Sequence, residues 1–193
     1  MTFEEYNKNL NGVIGDLQSG AHGAIMVNMA ITALTLLRQR VQETGTDAKG
    51  TKYRPYSTKA MLVGCKSMNA SVCKSFFGKE KNKEHKWVTV KGKRLAILPG
   101  GYKQFREMHG RQTSHVDFSF SNSMWNDINV ISNSGQHQQG VAVIGAKQDI
   151  EKKKLAGNTA RRGDILDLSQ KEIDQLKDQY NLQVLQIFRN NGL

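Results

Sequence analysis

The sequence predicts an α+β fold in which N-terminal helices and a C-terminal helix pack on a small antiparallel sheet. Three observations predict it. Apolar residues recur at helical spacing near both ends of the chain. Short β-prone runs lie between residues 87 and 144. A basic stretch with little helical or strand periodicity separates the N-terminal helices from those strands. At 193 residues the length suits one core. The chain therefore reads as a single α+β domain over 1–193, with a basic helix–hairpin segment, 58–100, inserted within it.

Thr2-Phe3-Glu4-Glu5 has the form of a capping box. Behind it Phe3, Tyr6, Leu10, Val13, Leu17, Ala21 and Ala24 advance in helical steps, with a break expected near Gly20 and Gly23. A second helix, 24–41, is apolar nearly all round (Ile25, Met26, Val27, Met29, Ile31, Leu34, Leu36, Leu37) and predicts burial on most sides. Arg38 and Arg40 fall in its last turn, where they complement the helix dipole. Residues 43–57, with two glycines and Pro55, predict an exposed loop.

The segment 59–77 reads as weakly helical and 78–86 as a charged loop. Residues 87–90 and 94–98 predict a β-hairpin across a three-residue connection containing Gly92. A short helix, 102–109, ends at Gly110. Residues 116–120 alternate like a half-buried strand. Ser121 or Asn122 then caps a turn through Met124, Trp125 and Ile128, and 128–132 and 140–144 predict two more strands. Residues 149–155 predict a charged helical stretch and 157–163 a polar loop. Ser169-Gln170-Lys171-Glu172 is a second capping box, opening a final helix with the stripe Ile173, Leu176, Tyr180, Val184, Ile187 and Phe188.

The net charge of +11 is unevenly placed. Residues 38–111 carry 18 Lys/Arg against 5 Asp/Glu, a net +13, and the remainder is −2. Such a stretch faces nucleic acid, an acidic protein or an anionic surface, or else is a solvated, loop-rich insertion. Cys65 and Cys73 match no zinc spacing and read as two free thiols in a reducing compartment. The N-terminus is too polar for a signal peptide, and the apolar run 24–37 is too short to span a bilayer. A soluble protein made in a cytoplasm is expected.

Catalytic signals are weak. His109 and His115 flank Gly110-Arg111-Gln112-Thr113-Ser114, but no nucleophile-elbow or phosphate-loop motif accompanies them. His109 reads better as a residue complementing a helix end. Asp117 and Asp127 fit a two-metal nuclease only by force, because such a centre needs several acids converging with a nearby lysine. Neither metal nor cofactor is expected. Tyr53, Tyr56, Phe76, Phe77, Trp87 and Tyr102 are interleaved with the basic residues, as in a nucleic-acid stacking groove. Where Val and Leu are scarce, they serve more economically as a local core. Lys152-Lys153-Lys154 and Arg161-Arg162 are short clusters of the kind found on solvated surfaces and interface rims.

Four pieces, in order, resemble the virion-morphogenesis proteins of tailed bacteriophages, specifically the tail-completion or head–tail joining group of the neck. The first is a buried helix ending in Leu37-Arg38-Gln39-Arg40-Val41, followed by a loop through Glu43-Thr44-Gly45 and Gly50 to Tyr56-Ser57. The second is Gly101-Tyr102-Lys103-Gln104-Phe105-Arg106 with Gly110-Arg111-Gln112-Thr113 behind it. The third runs from Val116 through Asp117-Phe118-Ser119 to Met124-Trp125. The fourth is Asn158-Thr159-Ala160-Arg161-Arg162-Gly163, then Ile165-Leu166 and Leu168-Ser169-Gln170-Lys171-Glu172. Each motif is short and structural; their order and spacing across most of 25–185 carry the resemblance. The stretch 61–99 departs from the smaller members of the group, which have less between the Tyr-Ser loop and the central helix.

The resemblance implies a non-enzymatic virion subunit, assembled in the bacterial host cytoplasm as a homo-oligomeric ring. It would contact other virion proteins, the portal or adaptor on one side and the tail tube or hub on the other, with DNA passing through the lumen. It implies no membrane partner and no small-molecule substrate, and it carries over no catalytic residue. Lys79, Lys81, Lys83, Lys86, Lys91, Lys93, Arg94, Arg161 and Arg162 are then the candidate partner or inter-subunit contacts. The alternative is a basic nucleic-acid-binding module using 59–111.

Overall fold

A computed structural model describes residues 1–77, 87–119, 121–131 and 141–193. The fold is α+β, with helices at both ends and small antiparallel sheets. It forms two compact units, Met1–Lys52 with Asp117–Leu193, and Tyr53–Val116. The segment 58–100 lies within the second.

In the first unit, α1 (Phe3–Asp16) opens with the predicted capping box. The Glu5 amide donates to Thr2 Oγ1 (3.1 Å), and the Thr2 amide donates to Glu5 Oε2 (2.7 Å). A π-helical turn, Leu17–Ala21, supplies the expected break; Gly20 sits there at φ +113°, a value that L side chains rarely adopt. The second helix, α2 (His22–Gln39), passes into another π-turn, Arg40–Thr44. It buries Ile25, Ala30, Ala33, Leu34 and Leu37 but leaves Ile31 exposed, so its burial is less complete than the sequence predicts. It packs on α7 (Gln170–Asn190) and on the two-stranded sheet of β4 (Ile128–Ile131) and β5 (Val143–Ala146). The short helix α5 (Ser123–Asp127) precedes β4, and its Trp125 is fully buried with Nε1–H donating to the Asp117 carbonyl (2.9 Å).

Arg38 and Arg40 do more than face a dipole. Arg38 Nη2 donates to the carbonyls of Trp125 and Ile128, bracing the end of α5. Burial depresses its pKa. Arg40 Nε donates to Glu172 Oε1 (2.9 Å), and its two terminal nitrogens donate to the carbonyls of Thr46 (2.7 Å) and Asp167 (2.6 Å). Glu172 also closes the second capping box, accepting from the Ser169 amide (2.7 Å).

Two expectations fail in this unit. Residues 116–120 form no strand over the described positions: the Asp117 carboxylate accepts from the Ser119 amide (2.9 Å), and Phe118 takes a positive φ of 52°. A side chain that binds its own backbone competes with a ladder. Residues 157–162 are helical rather than loop. In α6 (Asp149–Arg162) the helix runs through Gly157, with acids in its first turn and Arg161 and Arg162 in its last, and stops at Gly163. Of the strand expected at 140–144, residue 140 lies outside the described residues and β5 begins at Val143.

In the second unit the segment expected to be weakly helical divides. Met61–Val63 is strand β1, because it finds partners in β3 (Lys93–Leu98); a 3₁₀ turn, Cys65–Ser67, and helix α3 (Ala70–Phe77) follow. The hairpin of β2 (Trp87–Val90) and β3 forms as predicted, but across two residues. Val90 pairs with Lys93, leaving Lys91 and Gly92 at φ +50° and +72°, the signs of a type I′ turn. The sheet order is β1-β3-β2. Helix α4 (Gly101–Met108) packs on β3. Gly101 has φ +63°, and a Cβ there would lie 2.3 Å from the Lys59 carbonyl oxygen.

The cysteines are not free thiols. The 3₁₀ turn and α3 fold the chain back until the Cα atoms of Cys65 and Cys73 are 5.2 Å apart, and the sulfurs are bonded. A separation of eight residues spanning a turn and a helix start is a bridging geometry that spacing alone did not distinguish.

Two predictions follow from these contacts. Burial raises the Glu172 carboxyl, but the Ser169 amide and hydroxyl and the Arg40 guanidinium outweigh it, so its pKa lies below the ordinary 4.5. A carboxyl depressed in the folded state stabilises above its unfolded value and loses that contribution as pH falls through the folded value. Glu172→Gln keeps a capping side chain but strands Arg40. We expect a loss of about 3 kcal/mol near neutral pH, and a shallower decline of stability below pH 4.5, measured by urea titration at stepped pH. An acid limb identical to wild type would remove the pair from this role. Reduction of the disulfide is expected to cost about 2–3 kcal/mol locally, read as faster amide exchange over 65–77 alongside the appearance of two titratable thiols. Two thiols titrating in the oxidised, unfolded chain would show that no bond forms.

Candidate interaction surface

The boundaries of the two units sharpen the charge asymmetry. Residues 53–116 hold 14 of the 28 Lys/Arg and 3 of the 17 Asp/Glu, so this unit carries the whole net charge of +11 and the other is neutral. Of the nine candidate contact residues, Lys79, Lys81, Lys83 and Lys86 lie outside the described residues. Lys91, Lys93 and Arg94 come together, exposed, at the tip of the β2–β3 hairpin. Arg161 and Arg162 end α6 in the other unit, where the Arg162 guanidinium lies 5.7 Å from the Phe118 ring centroid.

Tyr53, Tyr56, Tyr102 and Phe105 of the basic unit serve its core. Tyr53, Tyr56 and Phe105 are buried. Tyr102 meets Tyr56 edge-on (5.6 Å) and stacks on Phe105 (5.9 Å), and the buried Arg106 places its guanidinium 4.4 Å over the Tyr56 ring. Arg106 Nε donates to the Gln112 carbonyl (3.1 Å), tying α4 to the chain that leaves it. A guanidinium held this way orders the unit's interior and is unavailable to an external anion.

The histidine and acid candidates are similarly engaged. His109 caps the C-terminus of α4; its Nδ1 lies 2.7 Å from the Phe105 carbonyl and so carries the proton, while Nε2 accepts from the Asn69 amide (3.2 Å). Asn69 in turn caps α3 through the Val72 amide (2.8 Å). The ring is a bracket between two helices. Ser114 Oγ lies 3.0 Å from His115 Nδ1, but both are exposed side chains of adjacent residues. Asp127 accepts from the Lys147 and Gln148 amides (2.7 and 2.8 Å), bracing the end of β5, and Asp117 is used in its own turn. Among the described residues no group of three His, Cys, Asp or Glu is placed to hold a metal ion, and no helix is long and apolar enough to cross a membrane.

Two apolar surfaces escaped the sequence reading. In α1 only Val13 is buried; Phe3, Tyr6 and Ile14 are 79%, 42% and 44% exposed. With half-buried Leu10 they form one stripe, since steps of three and four return to the same side of a helix. The helix is held to α7 by its other flank, where Asn191 Nδ2 donates to Asp16 Oδ2 (2.8 Å) and Asn9 Nδ2 to the Gly192 carbonyl (3.3 Å). The second surface is one face of the three-stranded sheet. The register puts Leu62 beside Ile97, Val88 beside Leu95 and Val90 beside Lys93, so these side chains share a face. Leu62 and Val90 are 49% and 41% exposed, and Val88, Leu95 and Ile97 are half-buried. Ala96, Leu98 and Val63 fill the opposite, buried face. The available signal was the run Leu95-Ala96-Ile97-Leu98 in β3, which is apolar on both faces beyond Lys93 and Arg94.

In comparison with known proteins, no family model, no curated protein and no solved structure matches this chain.

Proposed function

We propose that this chain is a structural subunit of the neck of a tailed-bacteriophage virion, a head–tail connector or tail-completion protein assembled as a homo-oligomeric ring between the portal side and the tail. The ordered motifs of 25–185 support this reading. The observation that carries it is the division of the chain into a neutral unit and a unit of net charge +11. Ring assembly uses heterologous contacts, in which one face of a subunit meets a different face of the next. Two units of different electrostatic character supply two different faces. The basic unit would meet acidic portal, adaptor or tail surfaces, or the DNA in the lumen, and the protein's place would be the virion.

The same charge favours a second reading, a nucleic-acid-binding module acting through 59–111. The burial of Tyr53, Tyr56 and Arg106 weakens it, because a stacking groove needs its aromatic faces free.

The two readings part in solution. Light scattering and negative-stain imaging of the purified chain, alone and with its co-expressed neighbours, should show a discrete closed multimer. A chain that stays monomeric in every mixture and is missing from purified virions would sink the neck assignment. For the alternative, a labelled duplex should lose roughly 10³-fold or more in affinity between about 50 and 200 mM salt. Tight binding that survives neutralisation of Lys79, Lys81, Lys83, Lys86, Lys91 and Lys93 would remove the hairpin segment from that explanation.

A further inference from the structure

We propose that α1 of one copy docks across the exposed face of the three-stranded sheet of the next, so that these two apolar surfaces cover each other. This contact rests on the ring reading and names the faces it uses. Each surface is exposed in its own unit, Phe3, Tyr6 and Ile14 in the first and Leu62 and Val90 in the second. A helix stripe laid on an apolar platform is a common recognition mode.

Size and charge both match. The stripe from Phe3 to Ile14 spans about 16 Å at 1.5 Å per residue. The sheet face from Lys93 to Ile97 spans about 13 Å at 3.3 Å per residue. The first turn of α1 holds Glu4 and Glu5, and α1 is net acidic, with Asp16 and Lys8 as its other charges. The sheet's hairpin end holds exposed Lys91 and Lys93. The direction is therefore fixed: Phe3 and Tyr6 lie toward Val90 and the turn, and Ile14 lies toward Leu62 and Ile97. Reversing the helix would withdraw both glutamates from the lysines. The apolar area holds the copies together, and the rim charges select the orientation. The platform is aliphatic, so a polyanion gains nothing from it; the basic tip serves here as the rim of a protein contact.

The contact is heterologous, which gives it a distinctive test. Phe3→Asp and Val90→Asp alter exposed side chains on opposite partners, so each alone should leave a folded monomer at concentrations where the wild type is assembled. Mixed in equal amounts, the two variants have one intact contact per pair, and light scattering should report a dimer and nothing larger. Glu4→Lys should weaken assembly roughly two- to fivefold, and adding Lys93→Glu in the same chain should restore it. That charge pair keeps the test decisive if Val90→Asp proves to be unfolded by circular dichroism. A wild-type ring that persists in both aspartate variants, a mixture that stays monomeric, or a Glu4→Lys defect that Lys93→Glu does not relieve would overturn this contact while leaving the ring intact. A wild-type chain that is itself monomeric at every concentration, alone and with its co-expressed neighbours, would overturn the contact and the ring together.

Discussion

The first unit depends on one buried ion pair. Arg40 and Glu172 come from positions 132 residues apart and meet at 2.9 Å, with their side chains 12% and 7% exposed. Every polar arm of the pair is used: the guanidinium also holds the carbonyls of Thr46 and Asp167, and the carboxylate also closes the capping box of α7. The end of α2, the loop after it, the approach to α7 and the first turn of α7 thus meet at one point. Taking two charges out of water costs several kcal/mol per ion, and only such complete satisfaction offsets it. Buried apolar side chains such as Leu37, Val41 and Leu176 supply the unit's cohesion; the pair ties the chain just after α2 to the first turn of α7.

Some of this architecture was legible in the residues. Both capping boxes, the break at Gly20, the hairpin and the terminal helix could be read locally, because each is set by hydrogen bonds or periodicity within a few positions. The errors have a shared cause. Met61–Val63 is β only because β3 pairs with it, and the bond between Cys65 and Cys73 exists only because a turn and a helix start bring them together. At 116–120 the period of two was present, but the carboxylate of Asp117 captured the backbone first.

The functional surfaces were legible only in part. The charge run was plain, and Lys91, Lys93 and Arg94 do gather at the hairpin tip, but Arg161 and Arg162 belong to the other unit. The apolar surfaces were hidden because Phe3, Tyr6 and Leu10 have the spacing of a core stripe as well as of a docking stripe. Periodicity identifies a face; it does not say whether the chain itself covers that face.

The division into units also has a temporal meaning. The basic unit is continuous in the chain, whereas the neutral unit is interrupted by it. During synthesis α2 emerges with Ile25, Leu34 and Leu37 uncovered, and its ionic partner arrives 132 residues later. At about 5–20 residues per second this is an interval on the order of ten seconds. Hairpins and short helices form in microseconds, so the hairpin and short helices of the inserted unit are in place while the unit that encloses it in sequence still waits for its C-terminal helix; the Cys65–Cys73 bond takes seconds to hours and follows them. For that interval the nascent chain displays a cationic segment with its local structure formed, tethered to an unfinished apolar one.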